Sequence, residues 1–182
     1  MKKFIEELAS YKLWYLLSSE LPQLSIKAIE EWYESESLYI LAWLNLSESP
    51  FEIEDYFKKS LLELNINLPT IKESFNILLS YYLKWIDNSD INFEEWMKFI
   101  YFNLMLPFCD EIWKSTKTAY EECWLSVLWL TYVHYTDVDD DIEGWYYYKE
   151  WVKPDDLKKS YKKQIYDEIK VCINKLEKWI LN

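Results

Sequence analysis

The densest chemistry in this chain is a run of acids followed by rings: Asp137, Asp139, Asp140, Asp141 and Glu143, then Trp145, Tyr146, Tyr147, Tyr148 and Trp151. Closely spaced carboxylates steer a cationic partner towards a surface, and large rings beside them supply anchors that hold it. Asp137, Asp139, Asp140, Asp141, Glu143, Trp145, Tyr148 and Trp151 therefore form a candidate partner-binding site. The same residues also read as a solvated helix start, with Asp140 and Glu143 as a capping box and the rings turned inward.

A bound cation is the next reading. Asp139, Asp141, Glu143, Gly144 and Glu150 fall on positions 1, 3, 5, 6 and 12 of a calcium-binding loop, but glutamate is long for the fifth position and Pro154 crowds the exiting helix. Asp139, Asp140 and Glu143 also imitate the acidic magnesium motif of isoprenoid synthases, for which the chain is short and lacks arginine. Glu31 and Glu34 with Glu52 and Asp55 resemble the paired acidic motif of all-α nucleotide pyrophosphatases. Carboxylates three apart share a helix face, and two facing helices could hold a magnesium ion with its waters. With 32 acidic residues, however, such pairs arise by chance. His134 is the only histidine, which excludes His-pair zinc sites and dinuclear sites built on two Glu-x-x-His motifs. Cys123 cannot pair with it, because eleven residues along one helix separate them by roughly 16 Å. Cys109 or Cys172 could approach it only through the fold. A half-buried helical histidine is the plainer reading. No cofactor is implied.

Composition narrows the field further. One glycine, Gly144, cannot furnish a phosphate-cradling loop, and a net charge of −12 with no arginine opposes nucleic-acid binding. Three cysteines without a CxxC pair suit a reducing cytoplasm. The opening Met-Lys-Lys-Phe-Ile is broken by Glu6 and Glu7 before it becomes a signal peptide, and no run approaches the roughly 20 apolar residues of a membrane span. Eleven tryptophans remain to be explained, as thick core or as surface anchors.

These side chains must be positioned by helices. No alternating strand pattern occurs, so residues 1–182 are expected to form a single all-α domain, an irregular bundle of about eight helices. Residues 3–20 predict a first amphipathic helix, and Pro22 suits the first turn of a second. That second helix sets Leu24, Ile26, Ala28, Ile29, Trp32 and Tyr33 against Lys27, Glu30, Glu31 and Glu34. Leu38 to Leu44 is apolar all round and predicts a short helix buried on every side. Capping-box patterns at Ser49–Glu52, Thr70–Glu73 and Asn92–Glu95 open helices to about Asn65, Asp87 and Met105. A further helix is expected from about Ser115 to Asp137. Pro154, Asp155 and Asp156 start a last one, with an apolar stripe through Leu157, Tyr161, Ile165, Ile169, Cys172, Leu176 and Ile180.

Leu21 and Pro22 opening a helix, the turn Ser35-Glu36-Ser37, and then Leu38, Leu41, Ala42 and Leu44 in a buried helix resemble a pattern in small all-helical bacterial proteins of the polymorphic-toxin immunity type. The likeness extends through Glu54, Asp55 and Phe57 to Ile66, about the first half of the chain. Trp32 and Trp43 depart from it where glycine is expected, and Glu36 where proline is usual. The resemblance implies a cytoplasmic, non-enzymatic protein that neutralises a toxin by direct binding and supplies no catalytic residues. A magnesium-dependent nucleotide pyrophosphohydrolase and a nucleic-acid mimic that inhibits a DNA-binding protein are the alternatives. The expected partner is a basic protein, with neither nucleic acid nor membrane bound.

Overall fold

The computed structural model describes residues 3–44, 49–88, 93–105, 107, 125–140 and 153–180. Among them are eight α-helices and no strand: α1 Phe4–Lys12, α2 Leu21–Glu30, α3 Glu36–Trp43, α4 Pro50–Glu63, α5 Ile71–Asn88, α6 Phe93–Phe99, α7 Leu125–Asp140 and α8 Pro154–Ile180. The fold is all-α, as the periodicity predicts. The chain divides into two compact units, Met1–Tyr81 and Tyr82–Asn182.

In the first unit Phe4 and Leu8 of α1, Leu21, Leu24 and Ala28 of α2, Leu38 and Leu41 of α3, and Ile53, Phe57 and Leu61 of α4 make one buried cluster. α3 packs against both α2 and α4. Carboxylates tie the helix starts. Glu6, Glu20 and Glu73 each sit three residues past the N-cap and accept its backbone N–H, from Lys3, Leu17 (2.7 Å) and Thr70 (2.7 Å). Each satisfies a donor that the helix itself leaves without a partner. At α5 the box is reciprocal, since Glu73 N–H donates to Thr70 Oγ1 at 3.2 Å. Longer-range carboxylates do the same work. Glu31 accepts from Phe4 N–H at 2.8 Å, and Glu63 accepts from Ser37 N–H at 2.9 Å and from its hydroxyl at 2.5 Å. Glu7, almost buried, pairs with Lys27 at 2.7 Å and links α1 to α2.

Three sequence expectations are corrected here. The first helix stops at Lys12 instead of running to residue 20, and a 3₁₀ turn, Ser18–Glu20, leads into α2. Ser49 precedes α4 with Pro50 in its first turn, but its side chain makes no capping bond. The third correction is α3: Ser37, Leu38 and Leu41 are buried, while Tyr39 and Trp43 face solvent, Trp43 being 85 % exposed. Two flanking helices cover one side of it, and the apolar residues on the other side are left in water.

In the second unit α7 packs along α8. Ile165, Ile169, Cys172 and Leu176 form the buried stripe predicted for α8. Tyr82, Trp85, Trp96 and Phe99 stack at centroid distances of 5.0–5.7 Å. Phe93 meets Tyr135 and Tyr166 at 5.7 and 5.4 Å. Of the two tryptophans in this group Trp96 is half-buried and Trp85 is exposed, so they line the edge of the core and do not fill it. Lys84 pairs with Glu177 at 2.8 Å, and the Tyr135 hydroxyl donates to Glu94. After α6 the backbone continues as a π-helix, Ile100–Met105.

Candidate functional site

Asp137 is half-buried on α7, and residues 139 and 140 belong to the last turn of the same helix. Asp140 therefore closes a helix instead of opening one. Asp141, Glu143, Trp145, Tyr148 and Trp151 lie outside the described residues, as do Gly144 and Glu150 of the calcium-loop pattern and the cysteines at 109 and 123.

The paired acids are not brought together as a metal site. Glu31 is bound to Phe4 N–H, Asp55 lies 3.6 Å from Lys59, and Glu34 and Glu52 point to solvent. Among the described residues no three His, Cys, Asp or Glu side chains converge closely enough to hold a metal ion. His134 is half-buried and stacks on Tyr161 at 6.0 Å, and Cys172 is buried.

Two phenols are perturbed. Burial, then the charge of Glu54, raises Tyr11, while the Ser18 hydroxyl opposes the shift; Ser18 itself donates to Glu54 at 2.7 Å. Burial, then Glu94, pushes Tyr132 up to about 12. Both remain protonated near neutrality, so neither serves as a base there. A cavity of about 410 Å³ in the first unit is lined by Leu16, Pro22, Leu24, Ile26, Ala42 and Leu44, with Glu20 and Lys27 among its polar residues. Both charges already have partners, in Leu17 N–H and Glu7. The cavity is a dent of mixed polar and apolar lining, Ser19 and Gln23 standing beside those two charges.

The site-like feature that emerges is different. Helices α1, α2 and α4 end in one geometry, in which the N–H of the second residue past the cap reaches back five residues and the preceding residue turns left-handed. The bonds are Tyr15 N–H to Ser10 at 2.9 Å, Tyr33 N–H to Ala28 at 3.0 Å and Ile66 N–H to Leu61 at 2.9 Å. The left-handed residues are Trp14 (φ 61°), Trp32 (φ 71°) and Asn65 (φ 54°). Glycine is the usual choice, because a Cβ crowds the carbonyl oxygen in this region. Trp14 and Trp32 instead stand there, 73 % and 86 % exposed.

Periodicity places Trp32 on the apolar face of α2, but the helix ends at Glu30, and the left-handed turn swings the indole outward while Tyr33 takes the inward place against Phe4, at 4.8 Å. The signal available in the sequence was the lack of glycine. With Gly144 alone, helix ends must use other residues. No protein-family model matches this chain, and neither a curated protein nor a solved structure is significantly similar to it. No helix among the described residues is long and apolar enough to cross a membrane.

Proposed function

We propose that this chain is a non-enzymatic cytoplasmic binding protein that neutralises a basic protein, a toxin domain, by direct contact. The supporting observation is the set of large apolar side chains left in water in the first unit: Trp14, Trp32, Trp43 and Phe51 are each 73 % exposed or more. Each could remove roughly 150–250 Å² from solvent on binding, and tryptophan is the residue most often found to dominate interface energetics. A charge of −12 selects a cationic partner and speeds the encounter, while buried rings slow dissociation.

The segment 137–151 belongs to the same proposal. Asp137, Asp139, Asp140, Asp141 and Glu143 steer the partner, and Trp145, Tyr148 and Trp151 anchor it. Co-expression with the product of the neighbouring gene, followed by affinity capture and a growth assay, tests the reading. Capture and rescue of growth are expected. A neighbouring product that is not captured, or that kills equally well with and without this chain, overturns it.

A further inference from the structure

Residues 31–35 join α2 to α3, and from the last residue of α2 to the first of α3 exposure alternates: Glu30, Trp32, Glu34 and Glu36 face solvent while Glu31, Tyr33 and Ser35 turn inward. Every inward residue has a structural task. Glu31 accepts from Phe4 N–H at 2.8 Å, Tyr33 packs on the Phe4 ring, and the Ser35 hydroxyl accepts from Leu38 N–H at 3.2 Å to cap α3. Of the outward side chains only Glu36 serves the fold, as an acid in the first turn of α3. None of them makes a hydrogen bond, ion pair or ring contact with a described residue.

An indole in water gains nothing for the fold, and the left-handed backbone beneath it is disfavoured for any residue with a Cβ. The turn is otherwise fully held, so the presentation of Trp32 is imposed by the surrounding structure. We infer that residues 30–36 form a docking surface for cationic side chains of a protein partner, with the Trp32 indole as the platform on which an arginine or lysine stacks and Glu30, Glu34 and Glu36 as the charges that receive it.

The chemistry of the neighbours selects this occupant. A ring face attracts a cation through its quadrupole, most strongly for tryptophan. Carboxylates two residues to either side lie within about 7 Å of chain, close enough to pair with the same cationic patch. Three exposed acids and no exposed base in the segment repel phosphate groups, so neither nucleic acid nor an anionic lipid surface fits. The inference deepens the proposed function by naming where a basic partner is gripped, and it rests on that reading for the partner's identity.

Trp32→Gly is the useful variant, because glycine is the residue this backbone prefers and the protein stays folded. In full-length protein labelled on its indole nitrogens, the N–H resonance missing from Trp32→Gly identifies Trp32. Titration with a hexa-arginine peptide is expected to shift that resonance more than the other indoles, and Glu30→Gln/Glu34→Gln/Glu36→Gln is expected to reduce the shift at least threefold. A Trp32 resonance that stays in place at saturating peptide, or moves equally in the neutralised variant, overturns the inference.

The product captured through the neighbouring gene supplies the second arm, with at least tenfold weaker binding expected for Trp32→Gly. Equal binding by wild type and Trp32→Gly removes the 30–36 surface and leaves the proposed function standing. A shifted Trp32 resonance with no captured product does the reverse.

Discussion

Helices α2 and α4 finish with the same two backbone hydrogen bonds and the same left-handed residue, yet one end carries Trp32 and the other Asn65. The residues that follow behave alike. Tyr33 and Ile66 both turn back and pack against the core of the first unit. Asparagine is among the few side chains that tolerate positive φ, so Asn65 is explained by folding alone. Tryptophan has no such tolerance, and Trp32 is 86 % exposed. Where two identical turns differ in this way, the residue that the backbone does not want points to a requirement outside the fold.

The largest expected effect tests whether packing imposes the turn. Phe4→Ala removes the ring beneath Tyr33 and opens the buried cluster, and unfolding by urea is expected to register a loss of about 3–5 kcal/mol. Truncation at the asparagine end, Ile66→Ala, should cost less, because Ile66 is only half-buried.

Thr70→Ala provides a boundary where residue type and role agree, as they do at Asn65. Loss of its hydroxyl from Glu73 N–H should cost about 1 kcal/mol in the same measurement. Trp32→Gly should instead gain up to about 1 kcal/mol, and Asn65→Gly should change stability by only a few tenths. Equal responses at the two ends would dissolve the contrast between them.

The smallest effect concerns acid. The Ser37 hydroxyl, then its N–H, holds Glu63 below the usual carboxylate range, and Thr70 N–H, then its hydroxyl, does so for Glu73. Depressed values in the folded state add stability that is present above an ordinary glutamate value of about 4.3 and is lost as pH falls through the lowered values. Thermal midpoints measured from pH 6 to pH 3 should therefore decline less steeply in Glu63→Gln and Glu73→Gln than in wild type.

Much of the fold was legible because it depends on local spacing. The Thr70 and Glu73 box, Pro22 in the first turn of α2, and the α8 stripe from Ile165 to Leu176 all follow from residues three or four apart. What was not legible depends on where helices stop and on which side a neighbour covers. The left-handed turn at Trp14 ends α1 eight residues before the periodicity does, and the same device at Trp32 sends a ring assigned to the core into solvent. The α3 sequence carries no polar stripe and so predicts burial on all sides, yet Ser37, Leu38 and Leu41 alone are buried while Tyr39 and Trp43 stay exposed.

Charge was misleading in the same manner. Glu6, Glu20, Glu31, Glu63 and Glu73 look alike in the sequence as surface acid, but each caps a backbone donor, whereas Glu30, Glu34 and Glu36 are among the acids that face outward. The segment 137–151 lies mostly outside the described residues, and the first unit supplies a surface that composition alone does not mark.

Equilibrium unfolding of Trp32→Gly in urea, measured beside wild type, bears most directly on the claim that this indole is held in water for something other than the fold. A midpoint at or above the wild-type value, with an unchanged slope, is expected. A clearly lower midpoint would contradict it, because the ring would then be contributing to the stability of the very turn it leaves.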